Sequence, residues 1–269
     1  MKKRLMCVGL VLMMILSLIA CKSNNYKDAV KDFDTAVESL KSKNTDLDAA
    51  TSNADTLVNN KEAALDETLR PALEKSVSDT KAVKCDIPEM SSALEDIKAK
   101  TEELKKIDYT DALAKLDTAY KALDKSIKQY VLVNKPKESY IIECLGKVTN
   151  VVNISAVTED NDPNGHLNKA GGYTAQVYFS SDLVNQSSVS GTTVIEKGTQ
   201  CGGSIEVYST VEDANKRNEY LSTFDGGIFA SGSHMVIGTC LLRLSDKLTA
   251  SQQTDMEKNI IKILTDIEK

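Results

Sequence analysis

The chain has 269 residues and a formal charge of −6, from 33 basic and 39 acidic residues, with no tryptophan and few aromatics of any kind. That excess of acid argues against a nucleic-acid partner, whose binding rests on cationic contacts to phosphate, and against electrostatic adhesion to an anionic membrane. The length suits two modest domains.

Lys2, Lys3 and Arg4 precede an apolar run of 16 residues, Leu5 to Ala20, which falls short of the roughly 20 needed to cross a hydrocarbon core. A basic head, a short apolar body and a small final residue predict a secretory signal peptide over residues 1–20. The stretch Leu18-Ile19-Ala20-Cys21 resembles the lipobox of bacterial lipoproteins. The resemblance implies a diacylglyceryl group on the Cys21 sulfur, cleavage just before it, and a mature chain tethered at the extracytoplasmic face of the cell membrane. Two acyl chains anchor stably where one binds only marginally. Losing the leader removes three basic residues and no acidic ones, so the mature chain would carry a formal −9.

Residues 22–134 hold no glycine, and every glycine beyond the leader lies after position 145. That shift predicts a domain boundary near "VNKPKES", with Pro136 as punctuation. The first half is helical by period. Val30, Phe33, Val37, Leu40, Asn44, Leu47, Thr51, Ala54 and Val58 follow a 3-4 spacing and share one stripe, weakened by polar Asn44 and Thr51. After a loop at "NNKEAALDE", a second helix carries Leu69, Leu73 and Val77, with Pro71 in its first turn. "CDIPEM" turns into a third helix with Leu94, Ile97 and Leu104 inward. Thr110 opens a fourth, carrying Leu113, Leu116, Tyr120, Leu123, Ile127 and Tyr130. Short amphipathic helices must pack on one another, so a three-helix bundle is expected over 44–107, within an elongated stalk. "LDAATSNADTLV", "ETLRPALEKSVSDTKAV" and "MSSALEDIKAKTEELKKI" resemble the FIVAR module. That three-helix repeat belongs to Gram-positive surface proteins, among them extracellular-matrix-binding proteins, and the resemblance implies a surface role.

In the second half, "KESYIIECLGKV" predicts a helix with Tyr140, Ile141, Cys144, Leu145 and Val148 inward. "VVNISAV" and "YTAQVYF" alternate like half-buried strands, the latter with Tyr173, Ala175, Val177 and Phe179 on one face. "SIEVYST" is a third strand. Thr210 and Asp213 open the helix "VEDANKRNEYLSTF"; "MVIGTCLLRL", apolar on both faces, suits one central strand; Thr249 and Gln252 open a last helix. The predicted fold class is therefore α+β: an all-α bundle or coiled-coil stalk over 21–134, then an α+β sandwich over 135–269. Its mixed sheet of four to five strands would carry helices on one side. Strands 204–210 and 235–244 would run parallel through a right-handed crossover. "AVTEDNDPNGHLNKAGGYTAQVYF" and "SGSHMVIGTCLLRLSDKLTASQQ" resemble the C-terminal region of uncharacterised Gram-positive lipoproteins, a group that supplies no activity.

The candidate sites are few. In "DNDPNG", Asp160, Asp162, Asn164 and Gly165 match the opening of an EF-hand calcium loop, where oxygen ligands surround a hard cation. Its twelfth position should be a bidentate Glu and is Gly171, although Glu159 could add an oxygen. The alternative is a polar turn, since Asp-Pro-Asn-Gly suits type I geometry. Calcium is the one cofactor in question. His166 and His234 are the only histidines, and Ser233 beside His234 makes no triad, because neighbours on a strand face opposite ways. The glycine-rich "DGGIFASGS" follows a helix, whereas a phosphate loop precedes one, so a turn is expected. No catalytic residue is assigned. Cys85, Cys144, Cys201 and Cys240 allow three complete disulfide pairings, lack zinc spacing, and include in Cys240 a small residue suited to burial.

These features together predict a lipid-anchored surface lipoprotein with a non-catalytic binding or adhesion role toward a cell wall polymer, the matrix or a partner protein. The competing readings are a solute-binding subunit of an importer, which usually needs two lobes, and a wall-acting hydrolase, for which no motif is present.

Overall fold

The computed structural model describes residues 2–227 and 232–268, with side chains from residue 24 onward. Its architecture is α+β. The chain divides into two compact units, residues 1–61 with 68–122, and residues 62–67 with 123–269.

The first unit contains α1 (Lys2–Asn59), α2 (Leu69–Ala82), α3 (Leu94–Lys106) and the start of α4 (Thr110–Val133). Each forms where the apolar stripe was expected. Phe33, Leu40 and Leu47 of α1 close over Ile97 and Leu104 of α3, with Tyr109 beside them. Polar Asn44 in the α1 seam does not weaken the packing, because both ends of its amide are used. Its Nδ2 donates to the Cys85 carbonyl at 2.9 Å and its Oδ1 accepts from Tyr109 Oη at 2.8 Å. Tyr109 Oη in turn accepts the Cys85 N–H at 2.8 Å, so the α2–α3 loop is tied to α1 at one buried polar node. Thr51, the other polar seam residue, returns its hydroxyl to the Leu47 carbonyl. Arg70 Nη1 donates to the carbonyls of Leu57, Val58 and Asn60 at 2.8–3.1 Å, satisfying acceptors that the end of α1 leaves open. Pro71 sits in the first turn of α2, where its missing N–H costs nothing.

The second unit is built on a five-stranded sheet of β1 (Val151–Ala156), β2 (Tyr173–Ser181), β3 (Gly202–Tyr208), β4 (His234–Ile237) and β5 (Cys240–Leu244), in the order β1-β2-β3-β5-β4. Its helices are α5 (Glu138–Leu145), the single turn α6 (Val194–Lys197), α7 (Val211–Ser222) and α8 (Ala250–Leu264), besides the end of α4. Ile141, Cys144 and Leu145 of α5 and Met256, Ile260 and Leu264 of α8 cover one sheet face of Val177, Phe179, Ile205, Leu242 and Leu244.

Several expectations are corrected here. The sheet is antiparallel throughout, not mixed. "MVIGTCLLRL" is a hairpin, β4 and β5, rather than one strand, turning at Gly238 and Thr239. Gly238 has φ +57°, and a side chain there would meet the Val133 carbonyl oxygen at 2.5 Å, so only glycine fits the turn. Strands β3 and β4 do point the same way, because both are antiparallel to β5, but β5 returns between them and they never pair. Helices also lie on both faces: Ala214 and Leu221 of α7 pack on Tyr208, Leu241 and Tyr173, on the side away from α5 and α8. Finally, Tyr173 does not share a face with Ala175, Val177 and Phe179. A bulge between Tyr173 and Ala175 rotates it to the α7 side, opposite Tyr208.

Among the described residues Cys85, Cys144, Cys201 and Cys240 form no disulfide, with Cys144, Cys201 and Cys240 buried and Cys85 half-buried. Burial, helped by the nearby Cys144 thiol, pushes Cys240 up to about 12, so it packs as a small apolar group. Among the described residues no helix is long and apolar enough to cross a membrane. Cys21 and residues 1–20 belong to the part whose side chains lie outside the described residues.

Candidate functional site

Alternation along β2, β3 and β5 sends one set of side chains to the apolar core and the next set to the opposite face, where they are polar. Gln176 stands opposite Glu206, Tyr178 opposite Ser204, and Ser204 opposite Arg243. This face is roofed by α7, by α6 with Val194 and Ile195 over Tyr178, and by the β1–β2 loop through Leu167.

Glu206 is fully buried at its centre. Arg243 Nη1 lies 3.1 Å from its Oε1 and Arg217 Nε lies 3.5 Å from its Oε2. Tyr208 Oη donates to Oε2 at 2.6 Å, and Gln176 Nε2 to Oε1 at 3.4 Å. A buried carboxylate needs such company, since an uncompensated charge in an interior costs several kcal/mol. Ser204 Oγ is buried on the same face with no hydrogen-bond partner. Burial, then the Glu206 charge, raises the Tyr208 phenol well above the usual tyrosine range, so it remains a donor.

The polar face opens to solvent in a cleft of about 290 Å³ whose walls are His166, Tyr173, Tyr208, Asp213, Lys216 and Arg217, with Gly171 and Gly172 at its lip. Tyr173 and Tyr208 meet edge to face, ring centroids 6.4 Å apart. Arg217 is 22% exposed, with its guanidinium carbon 5.3 Å from the centre of the Tyr220 ring. Gly172 is pressed against the turn before it, since a side chain there would fall 2.0 Å from the His166 carbonyl oxygen.

The structure brings Asp162 and Asn164 together and leaves Asp160 exposed. Asp162 accepts from Tyr173 Oη, from the Leu167 N–H at 2.7 Å and from the Asn164 N–H at 3.0 Å. Burial works to raise its carboxyl, but these bonds and one from the Gly165 amide outweigh it and bring the pKa down to about 2. Asn164 Nδ2 reaches Tyr173 Oη at 3.3 Å and Gln176 Oε1 at 3.5 Å. The "DNDPNG" stretch thus acts as a turn clamped onto the cleft wall, with the Asp162 oxygens spent on protein donors. Glu159 accepts from Asn168 Nδ2 at 3.3 Å. Among the described residues no three His, Cys, Asp or Glu side chains converge to hold a metal ion.

His234 lies away from the cleft. Its Nδ1 is 2.7 Å from Asn218 Oδ1 and its Nε2 is 3.2 Å from Asp225 Oδ1, linking β4 to α7 and the turn after it. The "DGGIFASGS" turn falls partly on residues 228–231, outside the described residues. In the first unit a groove of about 440 Å³ lies between α1 and α4, floored by Ala50, Ala54, Leu113 and Leu116 with Asp46 and Asp117 at its edges. It is apolar at its base and gathers no buried polar group.

Sequence reasoning singled out the 160–165 loop, as a calcium candidate or a polar turn, and missed Glu206, Arg217 and Arg243, the groups that organise the cleft. One signal was present: Arg243 is the only charge in the apolar run "MVIGTCLLRL", which points to a buried partner. No known protein family matches the chain, no curated protein sequence matches it, and no solved structure matches it.

Proposed function

We propose that this chain is a lipid-anchored lipoprotein of a Gram-positive cell surface, tethered through Cys21, that binds a cell wall polymer without transforming it. The cleft of Tyr173, Tyr208, Lys216 and Arg217 is the binding site. The observation that carries this reading is the cleft's construction: a half-buried guanidinium held by a buried carboxylate, at a mouth open to solvent whose floor is closed by two buried tyrosine rings. Preformed concavities with a few convergent polar groups are where ligands bind. The lipobox resemblance supports the location and the FIVAR resemblance the surface role.

The test has two arms. Mass analysis of protein recovered from native membranes is expected to show a diacylated Cys21 as first residue; an intact leader or an unmodified end removes the tether. Detergent-solubilised full-length protein is expected to co-sediment with purified cell wall. Arg217→Ala should abolish that retention and Asp46→Ala, in the groove of the first unit, should spare it. Retention indifferent to Arg217→Ala, or none at all, overturns the site.

A further inference from the structure

We infer that the cleft recognises an oxyanion, a carboxylate or a phosphate, carried on a sugar-sized group, and that Glu206 is the residue that positions Arg217 to receive it. The inference rests on the cleft being the binding site, as proposed above.

The charge of the cleft opposes that of the protein. The chain is acidic overall, yet the solvent-facing cleft wall sets Lys216 and Arg217 against one acid, Asp213, with Glu206 buried behind Arg217. Asp213 is also turned back on its own helix, its Oδ2 accepting from Thr210 Oγ1 at 2.6 Å. Lys216 pairs with Glu212 at 2.8 Å, but both side chains are well exposed, and such a surface pair is weak enough to yield to a ligand.

Arg217 is the specific reader. Its Nε faces Glu206 as an ion pair at 3.5 Å, its flat face lies near Tyr220, and among the described residues its guanidinium donates no hydrogen bond. The Nη edge therefore keeps its donors, in the fork geometry that matches a carboxylate or phosphate with two parallel bonds. A free arginine would lose rotamer entropy on binding. Here the buried Glu206, itself fixed by Arg243, Gln176 and Tyr208, has already restricted it. Tyr208 spends its hydroxyl inward on Glu206, and its ring, 2% exposed, closes the floor of the cleft beneath Arg217. The volume, about 290 Å³, sits at the lower end of small-molecule sites, which run from roughly 300 Å³. It admits one ring with its charged substituent, so it would hold a single unit of a polymer.

Three probes built on one ring separate the possibilities: glucose, glucuronate and glucose 1-phosphate, titrated into detergent-solubilised full-length protein. The readout is the NMR shift of the Gly171, Gly172 and Tyr208 amides. The anionic probes are expected to bind about 10-fold more tightly than glucose, the scale of a charged hydrogen-bonded contact, and to weaken with salt. Whichever of glucuronate and glucose 1-phosphate binds better identifies the source of the oxyanion. Arg217→Ala should reduce anion affinity to that of glucose, and Arg217→Lys should recover only part of it. Glu206→Gln should lower anion affinity several-fold and leave glucose unchanged, whereas a merely structural role would lower both alike; its melting curve checks that it folds.

Equal binding of all three probes, no cleft response to either anion, or anion binding that survives Arg217→Ala overturns the oxyanion. In each case cleft-dependent wall retention would leave the broader reading standing. Anion binding at Arg217 alongside wall retention that ignores the cleft would do the reverse.

Discussion

The two faces of the five-stranded sheet are made from alternate residues of the same strands, yet they hold together by different physics. On one face Val177, Phe179, Ile205, Leu242 and Leu244 meet α5 and α8 with no polar partner to find. On the other, Gln176, Ser204, Glu206 and Arg243 are equally buried, and Glu206 is satisfied contact by contact. Apolar burial is non-directional and scales with area, so the first face can stabilise but cannot discriminate. The second face is where a change of one atom alters what the cleft presents.

That contrast breaks most visibly at Phe179, whose ring packs so closely on Gly203 that a side chain there would come within 2.5 Å of it. Phe179→Ala is expected to cost about 3–5 kcal/mol, the range for emptying a buried aromatic site, seen as a lower urea midpoint. The fraction that remains folded should bind anions as before. A loss of affinity without loss of stability would mean the faces are not separable. Glu206→Ala comes next, at about 3 kcal/mol, because it removes the carboxylate from between two guanidinium groups. It should lose stability and anion binding together, which no change on the apolar face does.

Acid offers a smaller and reversible version. The Asp162 carboxyl is depressed from 3.8 to about 2 in the folded protein, so its stabilisation is complete above the unfolded value and is lost as pH falls through the folded one. Discounted for solvent screening, the loss amounts to about 1–2 kcal/mol between roughly pH 4 and pH 2. Asp162→Asn should flatten that part of the stability curve, and added calcium should leave the melting temperature unchanged, because the Asp162 oxygens are already held by Tyr173 and Leu167. A calcium-dependent rise would show that the ion can take those oxygens from their protein donors.

Much of this architecture was legible from local pattern. Period alone located α2 to α4 and the part of α1 after residue 26, and the Thr249–Gln252 capping box marked the start of α8, because those signals live within one helix. What was lost depended on partners far along the chain. Gly238 inside an apolar run looks like part of a strand until Val133, more than a hundred residues earlier, is seen to fill the space a side chain would need. The bulge that turns Tyr173 is set by its pairing with β3, not by its neighbours. Asn44 looked like a flaw in a seam because Cys85 and Tyr109, its two partners, come from other segments. Glu206 is the hardest case. In "SIEVYST" it alternates like any solvent-facing acid, and only the register with Gln176 and the approach of Arg217 and Arg243 show it to be buried.

The smallest expected effects sharpen the comparison most, because they hold the chemistry constant and change only the face. Thr210 caps α7 by accepting the Asp213 N–H at 3.0 Å, and Thr249 caps α8 by accepting the Gln252 N–H at 3.3 Å. Replacing either with alanine should cost about 1 kcal/mol, so melting curves of the two variants should nearly coincide. Their binding should not. Thr210 also fixes the Asp213 carboxylate at the cleft wall, one turn before Lys216 and Arg217. Freed by Thr210→Ala, that carboxylate can swing toward the two cations and compete for them, lowering anion affinity a few-fold. Thr249→Ala, on the helix that covers the apolar face, should leave affinity untouched. If both variants weaken binding equally, stability and recognition are shared across the sheet, and the division of labour between its faces fails.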